Sequence, residues 1–445
     1  MDTAHHTRPA PVTLGKSFKY WLKLGFISFG GPAGQIAIMH HELVDKRRWI
    51  SEQRYLHALN YCMLLPGPEA TQLAIYISWL MHGIRGGVIA GVLFFLPSFL
   101  LLSGLAGLYL AYGTLPLVQG VFYGIRPAVV AIVLFAAWRI GSRALRNELL
   151  WGMAALAFVG IFVFHVAFPW IVLAAGLLGA LGGKLAPHKF RTGGGHGTRH
   201  AQAGPAIIDD DTPPPAHARF SWRRFALTLA AFVLIWLGAM STLLGMPALQ
   251  AMGAFFTKAA FLTIGGAYAV LPYVYQGGVE HFQWLTGPQM MDGLALGETT
   301  PGPLIMIVTW IGYLGGVSGH VVDNPVAAGL AGAAVATFFT FLPSFLFILV
   351  GGPLVEATRG ELAFTAPLTG ITAAVVGVIL NLAVFFAWHA FWPHATADAP
   401  FGGGFDGLPV IVAVAAFIAL SRYKADITAV IGVCALLGLA YSFFM

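Results

Sequence analysis

Charge is what this chain has least of. Only 9% of its 445 residues are Asp, Glu, Lys or Arg, against roughly a quarter in soluble domains. With 58% hydrophobic residues and a mean hydropathy of +0.78, an ordinary soluble enzyme is excluded and a polytopic membrane protein is indicated. Cysteine is nearly absent: Cys62 and Cys434 each sit inside an apolar run, so neither a disulfide framework nor a cysteine metal site is available. The apolar runs are long and do not alternate in ten-residue units, which excludes a closed β-barrel and favours helices. No apolar core precedes residue 20, where His5, His6, Arg8, Lys16 and Lys19 stand instead, so a cleavable signal peptide is not expected. Enzyme motifs are missing as well. His41-Glu42 opens a zincin-like string, but Asp45 stands where the second histidine belongs, and no phosphate-cradling loop carries a lysine. Neither metal, cofactor nor bound ATP is expected, and the linker histidines His196, His200 and His217 read as solvated residues. The net charge of +6 comes from Lys and Arg scattered between hydrophobic runs, which fits membrane-protein loops and not nucleic-acid binding.

What is present is organised. Thirteen apolar segments can be read, at 24–39, 55–81, 86–112, 116–138, 149–166, 168–186, 225–247, 251–275, 289–317, 325–350, 363–389, 408–420 and 427–445. Between 187 and 222 the composition turns to Gly, His, Asp, Pro and Arg, which cannot build a core and reads as a flexible cytoplasmic linker. It separates a first repeat, 1–186, from a linking transmembrane helix, 223–248, and a second repeat, 249–445. A constant offset in numbering, the one that carries Lys23 to Lys258, lays Lys23, Phe26, Gly30, Gly31, Val44, Trp49, Leu59, Pro66, Gly67 and Pro68 on Lys258, Phe261, Gly265, Gly266, Val279, Trp284, Leu294, Pro301, Gly302 and Pro303. After a short insertion the offset grows, and Leu96-Pro97-Ser98-Phe99-Leu100 falls on Leu342-Pro343-Ser344-Phe345-Leu346. This is a duplicated domain.

Charge placement orients it. If the first two segments of each half dip into the membrane and return, and every other segment crosses, 21 of the 24 Lys and Arg fall on one side. The positive-inside rule makes that side, with the N-terminus and linker, cytoplasmic. Full crossing of the broken segments would put Lys46, Arg47, Arg48 and Arg54 outside, so the re-entrant reading is preferred. The segment at 225–247 adds one crossing between the halves, giving an all-α inverted repeat, the architecture that places a substrate site at the midplane.

Phe29-Gly30-Gly31-Pro32 and Leu65-Pro66-Gly67-Pro68-Glu69 interrupt the first two segments, and Ile264-Gly265-Gly266 and Thr300-Pro301-Gly302-Pro303 repeat this in the second half. Proline removes a backbone donor and glycine frees φ, so each break ends one half-helix and starts another. Unpaired amides at four new N-termini suit an oxyanion; ordinary packing kinks are the plainer alternative. Lys23, Arg126 and Lys258 are the three basic residues inside apolar segments and so are candidate anion ligands. Lys23 has a second reading, snorkelling to the interface, and Arg126 a second one, pairing with a buried acid. Glu69 and Glu298 flank the two Pro-Gly-Pro breaks and are candidates for carrying a proton, although Glu69 also suits a helix N-terminus electrostatically. His57, Asn60, Gln72 and Tyr76 by helical spacing, and Thr299 and Thr300 by their hydroxyls, complete the candidate pocket.

These residues, namely Phe29-Gly30-Gly31-Pro32, Leu65 to Ala70 with Gln72-Leu73-Ala74, Gly86-Gly87 through Leu96-Pro97-Ser98, Gly265-Gly266-Ala267-Tyr268 and Thr300-Pro301-Gly302-Pro303, resemble the chromate ion transporter (CHR) family in its long two-domain bacterial form. The resemblance covers nearly the whole chain. It implies an inner-membrane exporter of chromate, driven by the proton gradient and giving chromate resistance, with sulfate as the isosteric dianion. A passive anion channel would share the broken helices; an intramembrane enzyme would need a constellation the chain lacks. Oligomeric state is left open, a homodimer included.

Overall fold

A computed structural model describes residues 9–29, 31–190, 205–358, 365–393, 395, 399 and 401–443. Gly30, Arg359 and the linker stretch 191–204, with His196 and His200, lie outside the described residues.

The breaks fall where the Gly and Pro residues put them. Thr13 caps α1 (Leu14–Ile27), which stops before the Gly30-Gly31 break. Beyond it α2 (Gly31–His40) runs into a π turn, His41–Lys46. Ser51 caps α3 (Glu52–Leu64), and after Pro66-Gly67-Pro68 the chain enters α4 (Glu69–Tyr112). Gly83, at φ 65°, bends α4 into two pieces. Then come α5 (Pro116–Ala144), α6 (Glu148–Phe162), α7 (Phe168–Leu185) and the single turn α8 (Pro187–Phe190). After the linker, α9 (Trp222–Thr242) leads to α10 (Pro247–Leu262), a short 3₁₀ turn, α11 (Leu271–Tyr275) and a second π turn, Gln276–His281. The series closes with α12 (Gly287–Thr299), α13 (Ile307–Ser318), α14 (Pro325–Thr358), α15 (Thr365–Phe391), α16 (Gly407–Ser421) and α17 (Ile427–Ser442). Among the described residues no strand is built beyond one isolated bridge. Among the described residues six helices are long and apolar enough to cross a membrane, namely α4, α5, α7, α9, α14 and α15. The protein is therefore an all-helical, multi-pass membrane protein.

The elements recur in order, with α4 matched by α13 and α14 together and with α8 and α9 lacking counterparts. π turns are rare, yet the two here begin at His41 and Gln276, positions that the Lys23-to-Lys258 offset makes equivalent. Each is followed by a non-glycine residue at positive φ, Arg48 at 51° and Gln283 at 54°. The helix caps Ser51 and Thr286 recur at the same offset. Between the halves, α4 and α14 run in opposite directions: Gly91 lies against Phe345, Phe95 stacks on Phe341 at 4.4 Å between ring centroids, and Gly107 and Gly329 both close on Tyr313. Phe95 and Phe341 are equivalent positions under the larger offset that relates Leu96 to Leu342.

Residues 205–221 of the linker dock on the first half. The amides of Ile207 and Ile208 donate to the carbonyls of Arg48 and Trp49, and Ser51 N–H donates back to Ile208. His217, expected to be solvated, is half-buried instead: its Nε2 lies 2.8 Å from the Trp79 carbonyl, beside the Gly83 bend.

Candidate functional site

The four breaks interlock in pairs. Ser28, at the end of α1, turns its hydroxyl back to donate to the Leu24 carbonyl, and its equivalent Thr263 does the same to Ala259. Their own carbonyls face the other half and are used there. Gly302 N–H donates to Ser28 O at 2.8 Å, and Gly67 N–H donates to Thr263 O at 2.7 Å, a reciprocal exchange. Only glycine suits these two positions: Gly67 sits at φ 119° and Gly302 at 121°, each crowded by the other half's serine, Ser344 and Ser98 respectively. The two amides are thus engaged between halves and do not face a ligand. Gln35, which the sequence did not single out, is fully buried and donates from Nε2 to the carbonyls of Ser28 and Gly302. Gln72, also buried, donates to Pro66 O at 2.6 Å and approaches Ser344 Oγ. Pro66, Pro68, Pro301 and Pro303 frame this crossing, and Gly31, at φ 68°, opens α2 in free space.

Helix starts without side-chain caps remain around it. Neither Pro68 before α4, nor Gly266 before Ala267, nor Pro303 before Leu304 provides one, so first-turn amides there stay open to an acceptor. Glu69 is the first residue of α4, and its Oε1 lies 3.9 Å from the position a Cβ at Gly266 would take. Two residues past Gly266, the Tyr268 hydroxyl donates to Glu298 Oε1 at 2.5 Å. Of the two carboxylates expected at the Pro-Gly-Pro breaks, Glu69 thus reaches across to the Gly265-Gly266 break of the other half, while Glu298 is held by Tyr268 within its own half. Arg139 of α5 lies close enough to act electrostatically on both Glu298 and Tyr268, and Thr372 Oγ1 of α15 lies 3.5 Å from the position a Cβ at Gly265 would take. Neither residue was foreseen at this place. Thr299 and Thr300 donate back to Leu296 O and Gly297 O of their own helix, so their hydroxyl protons point away from a ligand. His57 is half-buried on α3 and Asn60 is exposed.

The three candidate cations separate. Lys258 projects from the face of α10 formed with Ala251, Ala254 and Phe255 into a cavity of about 1060 Å³, where Gln276, His281 and Asn381 add polar groups. Lys23 on α1 and Lys258 are both exposed, but Lys23 does not line that cavity. Arg126 takes the second reading offered by the sequence: its Nε and Nη2 donate to the two oxygens of Asp292 at 2.9 and 3.0 Å, and Tyr109 donates to the same carboxylate. A fourth basic residue, Arg54, is the buried one: it lies within 3.0 Å of Glu356, which also accepts the Tyr76 hydroxyl. Asp292 was detectable as an acid within the apolar segment 289–317; Glu356 stands beyond the end of its segment and looks like a loop residue.

The family model described as chromate transporter matches residues 15–180 and again 250–439, one match for each half. The chain is 34% identical to the chromate transport protein of Cupriavidus metallidurans over 383 residues, covering 86% of this chain and 84% of that one. It is 33% identical to the chromate transport protein of Pseudomonas aeruginosa, over 85% of this chain and 82% of the relative. A probable chromate transport protein of Synechococcus elongatus is 29% identical, with 86% of each covered. No solved structure matches. A match that takes in both halves, with relatives covered almost end to end, places this chain in the chromate transporter family.

Proposed function

We propose that the protein is a secondary transporter that exports chromate from the cytoplasm across the bacterial inner membrane in exchange for the free energy of the proton gradient, and so gives chromate resistance. The observation that carries this is Glu69 at the uncapped start of α4, beside the Gly265-Gly266 break of the other half, in a chain of this family. A tetrahedral dianion needs several donors but little fixed positive charge if it is also to leave, and open amides at the helix starts, with one lysine, Lys258, lining a cavity, supply that. A carboxylate that changes protonation as its hydration changes carries the proton. The domain division at 187–222 and 223–248, with the linker cytoplasmic, belongs to the same reading. So does an inverted repeat: equivalent helices α4 and α14 run antiparallel and equivalent glycines exchange hydrogen bonds, as a two-fold axis across the helices requires.

Proteoliposomes with an imposed pH gradient should accumulate chromate, and collapsing the gradient should abolish accumulation. Uptake indifferent to the gradient, with a conductance in its place, would identify a channel. Competition by sulfate and molybdate identifies the preferred dianion.

A further inference from the structure

Two buried ionic clusters join the halves. In one, Glu356 of α14 lies within 3.0 Å of Arg54 on α3 and accepts the Tyr76 hydroxyl of α4 at 2.5 Å; side-chain exposure is 7% for Arg54 and 2% for Glu356. In the other, Asp292 of α12, with no exposed surface, accepts a two-pronged pair from Arg126 of α5, whose side chain is 32% exposed, and a hydrogen bond from Tyr109 of α4. Each cluster has the same composition: an acid from the second half, held by an arginine and a tyrosine from the first.

Their positions are opposed. From the Phe95–Phe341 stack, Tyr109 lies about four turns further along α4, and Glu356 about four turns further along the antiparallel α14. At about 5.4 Å per turn the clusters are roughly 40 Å apart, beyond the thickness of the hydrocarbon core of about 30 Å. One therefore closes each end of the molecule. Both bridge a helix that leads into a Pro-Gly-Pro break, α3 or α12, to the long helix of the other half. Rocking of the halves about the crossing separates them at one end while pressing them together at the other. A buried arginine–carboxylate pair makes such an end two-state, because pulled apart it leaves unpaired charge that water must reach.

We infer that Glu356 with Arg54 and Asp292 with Arg126 are the two gates of the transport pathway, broken one at a time, an inference that rests on the transporter reading. In the proposed orientation the Arg54 gate faces the cytoplasm and the Arg126 gate faces outward. Neither pair has a repeat equivalent: the offset that relates the breaks puts His57 at the place of Asp292 and Gln289 at that of Arg54.

The test is thiol labelling of Thr372→Cys, a reporter beside Gly265 at the crossing. A membrane-impermeant maleimide is added to right-side-out and to inverted vesicles. The native Cys62 and Cys434 are buried, and the unsubstituted protein sets their background. Adding Glu356→Gln should raise the labelling rate from the cytoplasmic face alone, and Asp292→Asn from the outer face alone, by about tenfold, the scale of one hydrogen bond to a charged group. Tyr76→Phe and Tyr109→Phe should act in the same directions with smaller effect, and they keep the test open if an acid variant fails to fold. Labelling that rises from both faces together, or from neither in folded variants, overturns the gates. Chromate uptake by the unsubstituted protein is measured separately, so a failed gate and a failed transport reading give different results.

Discussion

Gly67→Ala and Gly302→Ala should each destabilise the protein, because both positions combine a left-handed backbone with crowding from the other half. At Gly67 a Cβ would stand 2.6 Å from Gln72 Nε2 and 2.8 Å from Ser344 Oγ; at Gly302 it would stand 2.7 Å from Ser98 Cβ. Backbone strain for a non-glycine residue at such φ costs about 1–3 kcal/mol. Overpacking adds about 1–3 kcal/mol, and the chain on both sides is held by hydrogen bonds to the other half. About 2–6 kcal/mol of destabilisation is expected at each position. Two comparison variants separate the contributions. Gly31→Ala, at φ 68° with open space around it, should show the strain alone; Gly104→Ala, in α4 with nothing within 4 Å, should show neither. The assay is the thermal midpoint of purified protein in one detergent, read by loss of the monodisperse peak after heating. The expected order of midpoints is Gly104→Ala highest, then Gly31→Ala, then Gly302→Ala and Gly67→Ala. Midpoints for the last two equal to that of Gly104→Ala would refute the interlocked crossing.

Three further outcomes are expected. Arg126→Ala leaves the buried Asp292 carboxylate without its guanidinium and should lower stability by about 3–5 kcal/mol; combining it with Asp292→Asn should recover much of that loss in the same heating assay. Lys258→Ala, which removes a side chain that only lines a cavity, should abolish chromate accumulation in proteoliposomes and leave the thermal midpoint near that of the parent; retained accumulation rules Lys258 out as an anion ligand. Glu69→Gln and Glu298→Gln cannot carry a proton, so chromate flux down its own gradient should persist while the response to an imposed pH gradient disappears. If that response survives in both single variants and in the double variant, the proton travels elsewhere.

The breaks were legible because they depend on local chemistry. Proline and glycine stop a helix wherever they stand, and the four interruptions fall at the Gly-Gly and Pro-Gly-Pro strings. The repeat was legible because it preserves those strings at a fixed spacing. What the breaks do with their amides was not, because Gly67 and Gly302 find their partners, Thr263 and Ser28, in the opposite half of the chain. Asp292 and Glu356 escaped for a related reason: duplication does not preserve them, and each meets its arginine only across the junction of the halves. Composition misdescribed part of the linker, since a Gly- and Pro-rich segment builds no core of its own yet lends backbone groups to a neighbour, as Ile207 and Ile208 do at Arg48 and Trp49.

The stack of Phe95 on Phe341 is a residue meeting its own copy. A contact of that kind is self-complementary, and two identical chains form it with no further adaptation. The crossing thus has the character of a subunit interface that has become covalent. Each half leaves a glycine amide and a helix-end carbonyl that only the other half satisfies, so neither has a finished interior by itself. Cut at the linker and made as two pieces, the protein should assemble only when both are present, as a heterodimer does.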